Sequence, residues 1–209
     1  MTEPPVPDAD RRQYAPATGR NRDPILAVLK RVLPETGVLL EIGAGSGQHA
    51  AFFAPHFPGL IWQPTEPDPD GRASVAAWVE EVNAANLRPP LDLDVTANPW
   101  PVKQHVDAIF SANMIHIAPW ACCLGLMAGA GRILGPDGVA VLYGPFMRGG
   151  EHTAPSNAEF DASLKRRDPS WGIRDLDAVT ACAGEAGLAA AEIVAMPANN
   201  LMVIFKRRA

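Results

Sequence analysis

Residues 38–47, Val-Leu-Leu-Glu-Ile-Gly-Ala-Gly-Ser-Gly, constrain the fold of this 209-residue chain more than any other stretch. The apolar run reads as a buried strand and the three glycines as a tight turn. Gln48-His49-Ala50-Ala51-Phe52-Phe53 reads as the start of a helix. Glycine in such a turn tolerates positive φ and puts no side chain between backbone and ligand. The spacing separates cofactor classes. A dinucleotide-binding G-x-G-x-x-G needs glycine at position 48, where this chain has Gln48. The pattern is instead E-x-G-x-G-x-G, running from Glu41 through Gly43 and Gly45 to Gly47.

A second acid follows at the right distance. Leu60-Ile61-Trp62-Gln63 reads as a second strand leading into Thr65-Glu66-Pro67-Asp68. An acid at the tip of the second strand of a mononucleotide-binding unit accepts hydrogen bonds from ribose hydroxyls; Glu66 fits best, with Asp68 next. Leu91–Val95 alternates apolar and acidic residues as a short strand would, and Val106–Ser111 reads as another, ending in Asn113-Met114-Ile115-His116. A helix from Pro119 to about Leu134 runs into the turn Gly135-Pro136-Asp137-Gly138 and a strand over Val139–Tyr143. This alternation predicts a parallel sheet with helices on both faces. The chain's end departs from it. Leu188–Met196 and Leu201–Lys206 are joined by only Pro197-Ala198-Asn199-Asn200, too short for a parallel crossover, so they must form an antiparallel hairpin.

Earlier and later segments fill in the outline. Residues 1–13 are expected to be a disordered tail and 14–209 one domain. Asp23-Pro24 reads as a helix start, and Val75, Trp78, Val79 and Val82 mark a helix over about 72–86. Residues 144–175 form an insert at the ligand-binding edge, a candidate lid for substrate recognition. Within it, Ser156 and Glu159 have capping-box spacing for a helix to about Arg167, and Asp175 caps the next one.

Composition narrows the function classes. The net charge is −5, and the dense basic runs Lys165-Arg166-Arg167 and Lys206-Arg207-Arg208 are short, which argues against a nucleic-acid or anionic-membrane binder. Cys122, Cys123 and Cys182 do not form a disulfide framework, and His49 and His56 lack the neighbours of a metal site. No signal peptide or long apolar run is present, so a reduced, cytoplasmic protein is expected.

The glycine pattern resembles motif I of the Rossmann-like S-adenosylmethionine (SAM) methyltransferases, whose fold is a seven-stranded, mostly parallel sheet closed by a C-terminal antiparallel hairpin. That resemblance implies SAM as cofactor, held by Glu41, Gly43, Gly45, Gly47 and Glu66, with Asp94 near the adenine amino group and Asn113 after the next strand. Longer runs are similar to one group within it: Tyr14-Ala15-Pro16-Ala17, Arg20-Asn21-Arg22-Asp23-Pro24-Ile25, Trp62-Gln63-Pro64-Thr65-Glu66-Pro67-Asp68, Tyr143-Gly144-Pro145-Phe146, His152–Asp161 and Trp171–Asp175. Together they resemble the methyltransferase-like 26 family, SAM-dependent methyltransferases of unidentified acceptor. The chain departs from that family's Ser-Ala-Ala-Glu-Arg-Asn run, with Pro16-Ala17-Thr18-Gly19 before a retained Arg20 and Asn21. The resemblance adds Asn21 to the cofactor set.

The sulfonium of SAM is an activated methyl donor, so positioning supplies much of the work and a general base is optional. Base candidates are His116, ranked first because it follows the fourth predicted strand closely, then Tyr143 and His152. A small-molecule acceptor is expected, a protein side chain being the alternative. Two rival classes stand beside this reading. A non-catalytic SAM-binding scaffold would lack an acceptor pocket, and an NAD-dependent oxidoreductase is opposed by Gln48 and the C-terminal hairpin.

Overall fold

The structure, a computed structural model, describes residues 10–102 and 105–208. The expected α/β architecture is present. β1 (Gly37–Ile42), β2 (Leu60–Thr65), β3 (Val106–Ala112), β4 (Leu134–Arg148), β7 (Leu188–Met196) and β8 (Asn200–Arg207) lie in the order β2-β1-β3-β4-β8-β7. The pairs β1/β2, β1/β3 and β3/β4 are parallel, and β4/β8 and β7/β8 antiparallel. Two-residue strands β5 (Glu151–His152) and β6 (Arg174–Asp175) pair with the far end of β4 and bring the sheet to eight strands against the expected seven.

Helices cover both faces. α1 (Pro16–Val32) and α2 (Gln48–Phe53) enclose one core with Ile25, Leu29, Phe53, Trp62 and Phe110. α4 (Trp120–Ile133) and α6 (Leu176–Glu185) enclose the other with Leu126, Met127, Val179 and Ala183. Between them in sequence lie α3 (Pro69–Val82) and, in the insert, α5 (Pro155–Arg167). Strand order reverses between β1 and β3: the chain leaves β1 toward β2, then returns to pair on β1's other side. In an open α/β sheet that switch point opens a crevice beyond the carboxyl ends of the strands.

Several local expectations shift. Helix α1 starts at Pro16, seven residues before Asp23-Pro24, and carries Pro24 inside it. Pro16 takes the first-turn position that suits proline, whereas Pro24 presents a ring where an N–H would meet the Arg20 carbonyl. Leu91–Val95 is not a strand. Pro89 and Pro90 remove two donors, and only bridges at Leu87 and Leu91 reach Trp62 and Thr65. Gly135–Gly138 is a bulge within β4, between the pairs Val106–Leu134 and Ala108–Val139. The capping box at Ser156 does not form. Ala154 is the N-cap of α5, and Ser156 Oγ instead accepts from Asn199 Nδ2 at 3.2 Å. Asp175 does cap α6, accepting the Asp177 N–H at 2.8 Å. Residues 1–9 of the expected tail lie outside the described residues. Residues 10–13, assigned to the same tail, run along α3 instead: Arg12 pairs with Glu81 at 3.1 Å and lies over the Trp78 ring.

Candidate functional site

The turn after β1 is shaped by its glycines. Gly43, Gly45 and Gly47 all have positive φ, at 65°, 56° and 87°. Gly47 is the N-cap of α2, and a Cβ there would lie 2.7 Å from the Val75 Cα of α3, so no larger residue fits. A Cβ on Gly45 would meet nothing within 4 Å: this peptide faces open space. At the tip of β2, Glu66 is buried, and its carboxylate accepts the Gly45 N–H at 2.7 Å and the Asp68 N–H at 3.1 Å, one on each oxygen. A carboxylate has about four lone-pair positions, so each oxygen retains acceptor capacity. Asp68, the second choice at this tip, caps α3 by accepting the Gly71 N–H at 2.7 Å.

Glu41 is placed differently from the expected cofactor contact. It is fully buried, and its carboxyl accepts the Trp62 indole N–H at 2.6 Å inside the core. Burial pushes its pKa up to about 8, against the opposing effect of the indole, so it is neutral at physiological pH. Asp94 is exposed, with one carboxylate oxygen accepting both the amide and the hydroxyl of Thr96 at 2.8 Å.

The N-terminal segment is moored beside the glycine turn. The Gln13 N–H donates to Ser74 Oγ at 2.7 Å, and that hydroxyl donates to the Ser46 carbonyl at 2.7 Å. The Ala15 N–H donates to Gln48 Oε1, which also accepts from Ser46 Oγ at 3.4 Å. The residue that excludes a dinucleotide motif thus holds the chain's start over the turn.

Next to this turn a cavity of about 510 Å³ opens, lined by Arg20, Asn21 and Pro24 of α1, Asn113 after β3, Tyr143 and Pro145 of β4, Asn157 and Phe160 of α5, and the hairpin tip. Asn113 adopts the left-handed conformation, φ 61°, and donates its N–H to the Tyr143 carbonyl at 2.8 Å. Asn21 lies between two rings. Its Oδ1 is 2.9 Å from His49 Nε2, and its side chain hydrogen-bonds the Tyr143 hydroxyl. His49 stacks on Phe53 and meets Phe110 edge-on, and burial lowers its pKa to about 4. Neutral His49 donates to Asn21, which leaves the Asn21 amide to donate to Tyr143. Burial raises the Tyr143 pKa, only partly offset by Asn21, so the phenol keeps its proton at neutral pH. Sequence reasoning missed His49 in this role; its only local signal was its place one residue after Gln48.

The first-ranked base does not reach the cavity. His116 is fully buried, its Nδ1 accepts the Arg174 N–H at 3.2 Å, and its carbonyl accepts the Gly172 N–H at 2.9 Å. Nδ1 is therefore the unprotonated nitrogen and Nε2 carries the hydrogen, facing the Gly144 backbone without a hydrogen-bond partner. Burial drives its pKa down to about 3. A ring with its one acceptor occupied and its proton affinity suppressed is a latch between β3 and the insert, not a base. His152 also lies outside the lining: its Nε2 is 3.5 Å from Asp161, which in turn takes Lys165 Nζ at 2.6 Å and the Ile173 N–H at 2.8 Å. Asp161 so ties β5, α5 and residues 171–173 into one wall. Among the described residues no group of His, Cys, Asp or Glu could hold a metal ion, and no helix is long and apolar enough to cross a membrane.

A family profile described as "Protein of unknown function (DUF938)" matches residues 12–207. The chain belongs to the DUF938 family. The DUF938 chain has the Rossmann-like methyltransferase fold, with close structural likeness to solved methyltransferases. Mitomycin 7-O-methyltransferase MmcR superposes over 92% of the chain with a TM-score of 0.77 at 15% identity, and 54% of MmcR is covered. For CalO1, a methyltransferase in calicheamicin biosynthesis solved with S-adenosylhomocysteine (SAH), the values are 90%, 0.69, 16% and 54%. For an O-methyltransferase family 2 protein from Planctomyces limnophilus, solved with apigenin, they are 92%, 0.76, 18% and 58%. The DUF938 chain thus spans a little over half the length of these structures, and identities this low establish the fold it shares with them.

Proposed function

We propose that this DUF938 protein is a SAM-dependent methyltransferase acting on a small-molecule acceptor. The observation that carries the reading is the pairing, at one switch point, of the open glycine turn braced by Glu66 with a separate cavity that begins at Asn113 and Tyr143. The residues fit the cofactor. The Gly45 peptide offers an unobstructed cradle, Glu66 retains acceptor positions for ribose hydroxyls, and exposed Asp94 would serve the adenine amino group. Glu41, buried against the Trp62 indole, braces the strand that leads into the turn. Bound there, SAM would supply a methyl group already activated on sulfonium.

The chain's own residues then position and desolvate the acceptor. Asn21, Asn113 and Tyr143 face the shared space, and the insert of residues 144–175 contributes its wall through Asn157 and Phe160. Among the described residues that line the cavity there is no His, Asp or Glu, and Tyr143 keeps its proton at neutral pH, so these residues offer no general base. An acceptor that reacts without losing a proton to the enzyme suits this site. Solved relatives of the fold that act on or bind natural products, such as mitomycin and apigenin, favour a small molecule over a protein side chain.

The test is calorimetric titration of the protein with SAM, SAH and NAD, beside a Glu66→Ala variant. Micromolar binding of SAM or SAH, none of NAD, and about tenfold or greater weakening in the variant are expected, since a charge-assisted hydrogen bond is worth about 1.5–3 kcal/mol. Binding of NAD, or of none of the three, overturns the proposal.

A further inference from the structure

The cavity is polarised. Among the described residues that line it, only Arg20 carries a formal charge and none is Asp or Glu, although the chain as a whole is acidic at −5. Arg20 is exposed on α1 with no ion pair among the described residues, whereas Arg12, Arg31 and Arg72 are matched with Glu81, Glu192 and Asp92. The Tyr143 hydroxyl adds a second donor. Its oxygen is engaged by Asn21, itself oriented by His49, so its own proton is left for a ligand. Phe160 and Pro197 add apolar surface to the lining.

We infer that the cavity recognises a small molecule through a carboxylate, seated on Arg20 and Tyr143 with its apolar body against Phe160 and Pro197. A guanidinium presents a planar fork of N–H donors that matches a carboxylate with two parallel hydrogen bonds, and a neutral phenol adds a third donor at no cost in charge. A cation left unmatched inside an otherwise neutral, partly apolar cavity selects against neutral and cationic guests. Naming this molecule as the methyl acceptor rests on the reading of the chain as a methyltransferase. The same carboxylate chemistry also exists on the methionine part of SAM, and the experiment separates the two.

Wild type, Arg20→Gln and Arg20→Lys are titrated, with and without saturating SAH, against aryl carboxylates each paired with its carboxamide, beginning with 4-hydroxybenzoate and 4-hydroxybenzamide. The acids are expected to bind about tenfold or more tightly than the amides. Arg20→Gln should abolish that preference, Arg20→Lys should retain part of it, and both should melt like wild type and bind SAH equally. Equal binding of acid and amide, binding of neither member of any pair, or an acid preference surviving in Arg20→Gln overturns the inference. If Arg20→Gln weakens SAH but not 5′-methylthioadenosine, which lacks the amino-acid carboxylate, then Arg20 serves the cofactor and the acceptor assignment falls. Failure of wild type to bind SAH removes the methyltransferase reading alone, because the acid–amide comparison without SAH still reports on Arg20.

Discussion

On one side of the site, a single β-α-β unit supplies the core of the proposed cofactor surface: backbone bared by Gly45, a turn wedged against α3 at Gly47, and one carboxylate, Glu66, that braces the turn. On the other side, the proposed acceptor cavity is assembled from α1, the ends of β3 and β4, α5 and the β7–β8 tip, segments far apart in sequence. The first surface is made of main chain and tolerates almost no change in side-chain volume. The second is made of side chains held by other side chains, as Asn21 is by His49 and Phe160's helix is by Asp161. A constant ligand calls for the first kind of surface, and a particular acceptor for the second.

Substitutions can break this contrast. Gly47→Ala is expected to have the largest effect, a loss of about 3 kcal/mol or more in unfolding free energy, because positive φ and a clash with the Val75 backbone add together. Gly45→Ala, with comparable φ but open space, should cost only about 1 kcal/mol in stability while lowering SAH affinity more than tenfold. Chemical denaturation and calorimetry on both variants read the split. If Gly45→Ala binds SAH normally, the open face of the turn is not the cofactor surface.

His116→Ala comes next, with an expected loss of about 2–3 kcal/mol from the cavity and the broken bond to Arg174. SAH affinity should stay within a factor of two. Once an acceptor is in hand, the pH profile of turnover should keep its shape; a lost acidic limb would reinstate His116 as a base.

Two titrations sharpen the comparison further. Glu41 has a folded-state pKa of about 8 against an ordinary 4.5, so the stability it contributes is complete below pH 4.5 and is lost as pH rises through 8. Glu41→Gln should therefore melt at nearly the same temperature at pH 7 and pH 9, whereas wild type should fall over that interval. The smallest effect is spectroscopic. The chain has two tyrosines, and Tyr14 is exposed while Tyr143 is buried. Ultraviolet titration should show Tyr143 ionising above the ordinary tyrosine range, and Asn21→Ala should push it higher still, because the amide favours the phenolate. A downward shift would mean that Asn21 accepts from the phenol and that the polarity inferred for the cavity is reversed.

The same contrast explains what the sequence revealed. The positive-φ glycines, the Asp175 cap and the C-terminal hairpin are legible within a few residues, and Glu66 within the one β-α-β unit that brings it to Gly45. The start of α1 was misread because Asp23-Pro24 and Ala15-Pro16 offer competing local signals, and what decides between them is distant: Gln48 and Ser74 hold residues 13–15. Ser156 fails as a cap because Asn199, brought in by the hairpin, claims its hydroxyl. His116 looked catalytic from its place after a strand, but the amide of Arg174, far along the chain, occupies its accepting nitrogen.

Strand β4 extends past the sheet to Arg148, and its overhang is gripped by β8 at Pro145, by β6 at Phe146 and Met147, and by β5 at Met147 and Arg148. Clamped along both edges, this overhang ties both ends of the insert, Glu151–His152 and Arg174–Asp175, to the sheet. Residues 10–15 are fastened through Ser74 and Gln48, and to α3 also through Trp78 and Glu81. The Ser74 and Gln48 side chains also touch Ser46 in the glycine turn. Ser46 thus joins the glycine turn to the segment that precedes α1, so the two share their supports.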